Sequence, residues 1–121
     1  MSLCVLTVAK TLVLATSSFS LSWTHSVEKV QWQEDWQLKH DTLQLVTARV
    51  KGSGAGMEPG ANAKLVDGWW EWQPNLPAQT ELILAASGAT SSAWTLCPQD
   101  LSCINLAETA SEPIKLWACD E

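Results

Sequence analysis

The stretch from Phe19 to Gly56, FSLSWTHSVEKVQWQEDWQLKHDTLQLVTARVKGSGAG, decides the fold of this chain. Apolar and polar residues alternate along most of it, which is typical of β-strands that bury one face. Polar turn residues separate the alternating runs, and the stretch ends in a glycine-rich loop. We therefore predict three consecutive antiparallel strands, which run from Phe19 to Val27, from Val30 to Leu38 and from Thr42 to Lys51.

Three side chains that can carry charge fall on the predicted apolar faces of these strands. If Glu28-Lys29 is the first turn, Trp23 pairs with Glu34 and His25 becomes a diagonal neighbour of Glu34. If the second turn is His40-Asp41, Arg49 shares the face of Glu34. The sequence therefore predicts a cluster of His25, Glu34 and Arg49 at one end of the three strands.

The segment KGSGAGMEPG, residues 51–60, is the most turn-rich part of the chain. Gly52, Gly54 and Gly56 alternate with other residues, which indicates positive φ angles or a close approach of another group to the backbone. The spacing is neither that of a dinucleotide loop nor that of a P-loop. We interpret it as a structural loop that borders the predicted cluster rather than as a phosphate site.

The remaining chain contains further short strand-like runs. They are Leu3 to Val8, Thr11 to Ala15, AKLV and WWEW on either side of Asp67-Gly68, Thr80 to Ala86, Trp94 to Cys97, Cys103 to Leu106, and Ile114 to Cys119. No segment shows sustained helical periodicity. We predict a single all-β domain over residues 1–121, an antiparallel meander that forms a β-sandwich or a partly closed barrel with little or no helix.

The composition excludes several classes of function. The chain has 121 residues and a formal net charge of -6, with seven Lys and Arg against thirteen Asp and Glu. Nucleic-acid binding needs a basic face, which this balance does not supply. No apolar run reaches the ~18 residues of a transmembrane helix. The mean hydropathy of +0.01 fits a globular domain.

The aromatic residues are eight Trp, one Phe and no Tyr. Because a Trp side chain buries a large apolar area, we expect most of the Trp residues in the core. The alternative is a surface on which sugars or peptides stack. Trp69, Trp70 and Trp72 cannot all share one face of a strand, so we expect at least one of them to be partly exposed.

Four cysteines allow two disulfides in three connectivities. The simplest joins Cys97 to Cys103 across a short loop and Cys4 to Cys119 at the two ends of the chain. Such bridges would indicate an oxidising compartment. Free thiols in a reducing compartment are the alternative.

The segments HSVEKVQWQEDW and ARVKGSGAGMEP, residues 25–36 and 48–59, resemble an uncharacterised bacterial family, the domain-of-unknown-function family numbered eighteen-fifty. The resemblance is carried by HSVE from His25 to Glu28, then Glu34, then the Gly54-Ala55-Gly56 loop and Pro59. It is specific over residues 19–60 and weak beyond them. It implies an exported or membrane-tethered domain, often encoded beside tripartite solute transporters, and it implies no assigned activity.

The resemblance therefore places the chain in the periplasm or another extracytoplasmic space. The first residues, MSLCVLTVAKTLVLATSS, resemble a hairpin more than a leader, because Lys10 interrupts them and no basic segment precedes them. The partner implied is a membrane transporter component or a small polar ligand.

We interpret the chain as a non-enzymatic binding domain accessory to solute transport. The predicted ligand-binding residues are His25, Ser26, Glu28, Glu34, Arg49, Gly54 and Gly56. One alternative is a carbohydrate-binding module that uses Trp69, Trp70 or Trp72. Another is a small hydrolase with His25 as base, but Ser26 points to the opposite face of the strand.

We predict no cofactor and no metal site. A metal would need a third ligand beside His25 and Glu34, and His40 lies in a turn too far along the chain. A structural role for the cluster remains open, because a buried carboxylate is costly unless it is paired.

Overall fold

The computed structural model describes residues 1–7, 10–24, 30–51, 62–84, 94–106 and 113–119 of the chain. These residues form eleven β-strands, and no helix occurs among them. The strands are β1 Ser2–Leu6, β2 Thr11–Leu14, β3 Ser18–Thr24, β4 Gln31–Lys39, β5 Thr42–Lys51, β6 Lys64–Val66, β7 Trp69–Trp72, β8 Leu82–Leu84, β9 Trp94–Pro98, β10 Ile104–Leu106 and β11 Ile114–Cys119. The predicted all-β fold is confirmed.

The strands form two antiparallel sheets in a sandwich-like arrangement. The small sheet has the order β2-β1-β11-β8, and the large sheet has the order β10-β9-β3-β4-β5-β7-β6. The sheets do not close into a barrel. Only β3, β4 and β5 follow one another as a meander in the large sheet, because β9 pairs with β3 from far along the chain and β7 rather than β6 pairs with β5.

The main core lies between the two sheets and consists of aliphatic residues with two aromatic rings. Leu3, Val5 and Leu116 of the small sheet are fully buried. From the large sheet, Phe19 stacks on Trp36 with ring centroids 6.4 Å apart. Burial of these side chains is the dominant stabilising contribution to such a fold.

Short turns set the predicted hairpins. Asp67 and Gly68 have φ angles of 51° and 85°, the positive values that a tight two-residue hairpin turn requires. This confirms the predicted turn between the β6 and β7 strands. The opening hairpin of β1 with β2 and the hairpin of β9 with β10 are also confirmed.

The pairing of β3 with β4 differs from the prediction by two residues. Trp23 pairs with Trp32, and Leu21 pairs with Glu34, so the predicted pair of Trp23 with Glu34 was wrong. Residues 25–29, which include the turn assumed for that register, lie outside the described part of the chain. Because the shift is an even number of residues, each side chain keeps its predicted face.

The pairing of β4 with β5 contains an irregularity that the sequence analysis missed. Trp36 pairs with Leu45 but Asp35 pairs with Thr47, so Val46 is an extra residue on β5. A one-residue shift moves all later side chains to the opposite face. Arg49 therefore pairs with Gln33 on the outer face of the sheet, and the predicted shared face with Glu34 was wrong.

Two disulfides join the residues predicted from spacing. Cys4 bonds to Cys119, and Cys97 bonds to Cys103. The first bond ties β1 to β11 and links residues 115 positions apart, while the second spans only six positions. In the chain-entropy account, the longer closed loop contributes more to stability.

Candidate functional site

The tryptophans differ in burial from the expectation that most would be core. Trp36 is buried, with an exposed fraction of 6%. The other seven side chains, at positions 23, 32, 69, 70, 72, 94 and 117, are only half-buried. Seven large aromatic side chains are therefore at least partly accessible to solvent.

Four of the half-buried rings form one continuous row across the inner face of the large sheet. Trp94 of β9 contacts Trp23 of β3 at 4.6 Å between centroids. Trp23 and Trp32 lie 6.1 Å apart, with ring planes only 7° from parallel. Trp32 meets Trp72 of β7 edge to face, at 6.1 Å and 78°. Such geometries are favourable for aromatic pairs.

The row exists because cross-strand pairing and residue size bring the rings together. Trp23 pairs directly with Trp32. Strand β5, which lies between β4 and β7, carries only Ala48 and Val50 on this face, and both are buried. Because these side chains are small, the Trp72 ring can reach that of Trp32 above them.

Glu34 borders this row on the same inner face. It pairs with Leu21 on one side and Ala48 on the other, and Ala48 pairs in turn with Trp72. We call Trp32, Trp72 and Glu34, which surround Ala48, the aromatic corner. Its backbone positions are set by the register of β4, β5 and β7.

The Glu34 carboxylate is partly removed from water. Burial raises the pKa of Glu34 above its ordinary value of 4.5, and a hydrogen bond from Trp36 lowers the pKa by less. In that bond Trp36 Nε1 donates to Oε1 of Glu34 at 3.1 Å. Among the described residues no Lys, Arg or His forms an ion pair with Glu34. The corner therefore holds a desolvated acid without a counter-charge from the described chain.

Arg49 belongs to a separate network on the outer face. Its Nη2 lies 2.8 Å from Asp35 Oδ2, and its Nε donates to Glu71 Oε2 at 2.7 Å. The hydrogen bond with Asp35 is the main cause that raises the pKa of Arg49. The guanidinium thus joins β4, β5 and β7 and does not reach the aromatic corner.

A shallow cleft lies where β3 ends and β4 begins in the large sheet. Its volume is about 240 Å³, and its lining residues are Ser22, Trp23, Thr24, Gln31, Trp32, Gln33, Trp69 and Thr95. Most of them are neutral hydroxyl or amide side chains. Trp69 also carries Lys51 over its ring, with Nζ 5.6 Å from the centroid.

The three tryptophans of β7 do not form one stacking surface. Trp70 and Trp72 pair with Val50 and Ala48 on the inner face, whereas Trp69 pairs with Lys51 and points to the outer face. The expected partial exposure is confirmed for all three. A sugar platform made of the three rings together is excluded.

Five of the predicted ligand-binding residues lie outside the described part of the chain. They are His25, Ser26, Glu28, Gly54 and Gly56. Within the described residues no group of three or more His, Cys, Asp or Glu side chains is placed to hold a metal ion. In the same part of the chain, no helix has the length and apolar character needed to cross a membrane.

The sequence analysis placed Trp32 and Glu34 on one face but missed Ala48 and Trp72 as their neighbours. The signal for Ala48 was present in β5, where the apolar positions change from Leu43 and Leu45 to Ala48 and Val50. The change from odd to even numbers indicates a bulge.

Comparison with known proteins assigns a family but no activity. The match to the family described as Domain of unknown function (DUF1850) covers residues 19–106. The chain belongs to this family, as the resemblance predicted, and the match extends well beyond residue 60. Comparison with curated proteins and with solved structures gives no match.

Proposed function

We propose that this chain is a non-enzymatic binding domain that holds a small polar ligand at the aromatic corner. Trp32 and Trp72 supply half-buried aromatic side chains, and Glu34 supplies a hydrogen-bond acceptor on the same face of the sheet. Sites for small ligands commonly combine apolar and aromatic surface with a few placed polar groups.

The observation that carries this proposal is the position of Glu34. A carboxylate on an apolar face costs stability unless a partner compensates the lost hydration. The indole of Trp36 supplies one hydrogen bond, and the paired residues Leu21 and Ala48 supply none from their side chains. A ligand with hydrogen-bond donors would satisfy the remaining acceptor positions of the carboxylate.

The proposal is tested by a thermal-shift screen of the purified chain against monosaccharides, amino acids, dicarboxylates and amines. We expect at least one compound to raise the melting temperature, since a ligand at 100 times its Kd stabilises by about 2.7 kcal/mol. Glu34→Gln should lower the affinity for that compound by about tenfold. Glu81→Gln is the matched control, because Glu81 pairs with Lys115 on the small sheet.

Two results would contradict the proposal. One is that no compound in the screen binds the wild-type chain. The other is that the compounds which bind do so equally well in Glu34→Gln.

The remaining predicted residues stay part of this proposal as predictions. His25, Ser26 and Glu28 follow β3 in the chain, and Gly54 and Gly56 follow β5. If they contribute to the ligand site, His25→Ala should lower ligand affinity without lowering the melting temperature of the ligand-free chain. A loss of several degrees in the ligand-free chain would instead indicate a structural role for His25.

The proposed compartment is the periplasm or another extracytoplasmic space. The two disulfides support it, since such bonds persist mainly in oxidising compartments. The test is thiol alkylation of the chain isolated from its natural host without reductant. No cysteine should react with a maleimide, whereas four reactive thiols would place the chain in a reducing compartment.

An accessory role in solute transport rests on the family resemblance. It predicts that the chain binds the receptor or membrane component of a tripartite transporter. Co-purification from cross-linked membranes, with and without the transporter genes, tests this role. Recovery of the same partners from cells that lack the transporter would contradict it.

A second candidate function is carbohydrate binding, and the cleft where β3 ends and β4 begins favours it. Its neutral amides and hydroxyls, such as Gln33 and Ser22, can hydrogen-bond sugar hydroxyls beside the ring of Trp69. Affinity electrophoresis in gels that contain soluble polysaccharides tests it. Trp69→Ala should abolish any retardation and Glu34→Gln should not, whereas unretarded wild-type chain would exclude the polysaccharides used.

A further inference from the structure

Cations already contact two of the half-buried tryptophans, and both cations come from the chain itself. Lys51 Nζ lies 5.6 Å from the ring centroid of Trp69, and Lys115 Nζ lies 5.3 Å from that of Trp117. Both distances are within the range of a cation–π attraction. Of the three half-buried rings outside the aromatic row, those of Trp69 and Trp117 thus each have a lysine of the chain beside them.

The aromatic corner has no such occupant among the described residues. Neither Trp32 nor Trp72 has a cation–π contact there, and Glu34 has no ion pair. Only Lys29, among the Lys and Arg residues of the chain, falls outside the described part. The rings of Trp32 and Trp72 meet at 78°. Ala48 lies between Glu34 and Trp72 across the strands, and Trp32 is two residues from Glu34 on the same face of β4.

We propose that the aromatic corner of Trp32, Trp72 and Glu34 binds an organic ammonium ion from outside the chain. This inference rests on the proposed function and names the chemical class of its ligand. The ring faces attract the positive charge, and the carboxylate neutralises it.

Anions and small metal ions fit the aromatic corner less well than an organic ammonium ion does. An anion would be repelled by Glu34 and by the net charge of -6. A small metal ion would require several oxygen or nitrogen ligands, and the described residues provide no group of three. A methylated ammonium is weakly hydrated and apolar at its surface, so aromatic rings can replace its water.

The test compares choline with 3,3-dimethylbutan-1-ol, its neutral isostere, by titration calorimetry and tryptophan fluorescence. We expect choline to bind the wild-type chain at least about tenfold more tightly than the isostere. Glu34→Gln and Trp72→Leu should each lower the affinity for choline by about tenfold or more. The isostere should be little affected by Glu34→Gln.

Three matched controls accompany these variants. Trp69→Ala removes a ring that Lys51 already covers, and Glu81→Gln removes a carboxylate of the small sheet. Both should bind choline like the wild type. Trp72→Phe keeps an aromatic wall and should retain most of the affinity, and circular dichroism verifies that each variant is folded.

Four outcomes would overturn the inference. Equal binding of choline and its isostere would show an apolar site without charge selection. Choline binding that Glu34→Gln leaves unchanged would place the cation elsewhere. Choline binding that appears only in Lys29→Met would assign the corner to an internal lysine. Absence of choline binding in all variants would exclude the ammonium class.

Absence of choline binding distinguishes a failure of the ammonium inference from a failure of the proposed function. If choline fails while another compound of the screen binds in a way that depends on Glu34, the aromatic corner is a ligand site for a different class. If no compound binds at all, both the ligand site and its ammonium preference are wrong.

Discussion

On the outer face of the large sheet, Arg49 lies between Asp35 and Glu71 and forms an ion pair with each. On the inner face of the same strands, Glu34 has one hydrogen bond from Trp36 and no ion pair among the described residues. Glu34 and Asp35 are neighbours in sequence, yet within the described part of the chain only Asp35 has a cationic partner. Strand alternation separates them by directing adjacent side chains to opposite faces.

The charges on the two faces of the sheet differ in how they affect stability. The outer network joins three strands through groups that remain partly hydrated, with exposed side-chain fractions of 22% for Arg49 and 38% for Asp35. Such pairs stabilise modestly. Among the described residues Glu34 gains no comparable compensation, and this difference is the basis of the ligand site proposed above.

Deletion of Val46 should have the largest effect on stability. This extra residue of β5 sets which of the side chains that follow it face the core and which face solvent. Without it, Arg49 would turn toward the core and Val50 toward solvent. We expect a loss of more than about 4 kcal/mol, a large fraction of the roughly 5–15 kcal/mol that stabilises a typical native protein. Far-ultraviolet circular dichroism and thermal melting measure it.

Val46→Ala is the matched control for this deletion, since it keeps the backbone register and removes only a half-buried side chain. It should remain folded. If the deletion variant folded with an unchanged melting temperature, the bulge at Val46 would not be what directs Arg49 to the outer face and Val50 to the core.

Arg49→Met should have the next largest effect, because it leaves Asp35 and Glu71 without their shared cation. We expect a loss of about 1 kcal/mol and a melting temperature lower by roughly 4 °C. The difference from wild type should shrink in 1 M salt, which screens exposed charges. Lys115→Met, which breaks a more exposed single pair, is the control and should lose less.

Glu34→Gln should have the smallest effect on stability and the opposite sign. The amide keeps an acceptor for Trp36 Nε1 and removes the buried charge. We expect a melting temperature higher by roughly 1–3 °C at pH 7, since a partly exposed carboxylate keeps much of its hydration. A lower melting temperature would show that Glu34 stabilises the fold.

The pH dependence sharpens this last comparison. The folded-state pKa of Glu34 is raised above its ordinary value of 4.5, so the destabilisation develops as the pH rises from the ordinary pKa to the raised one and is complete above it. Well below pH 4.5 the acid is protonated in both states. The advantage of Glu34→Gln over wild type should therefore vanish at low pH and be largest at neutral pH, as measured by melting curves at each pH.

Local patterns in the sequence were enough to predict most strands and both disulfides. The turn at Asp67-Gly68 and the strand from Thr42 to Lys51 were predicted correctly, because backbone preferences and alternation act within a few residues. The pairing of Cys4 with Cys119 followed from the positions of the cysteines at the chain ends. These features depend on short-range chemistry or on simple topology.

The candidate site could be predicted only in part. Glu34 and Trp32 were correctly placed on one apolar face, because any even shift of register preserves the face. Arg49 was placed on the wrong face, since the extra residue Val46 changes the alternation within β5. The change from Leu43 and Leu45 to Ala48 and Val50 was the available signal, but Val46 and Thr47 between them are compatible with either face and obscured it.

The sequence by itself determined most of the strands and the inward direction of Glu34, and it made the observed disulfide pairing the simplest of three. Only the tertiary structure decided that Trp72 meets Trp32 above Ala48 and that Arg49 serves the opposite face. The physical reason is that alternation has a range of two residues, whereas the aromatic corner combines the registers of three strands that neighbour one another only in the folded sheet.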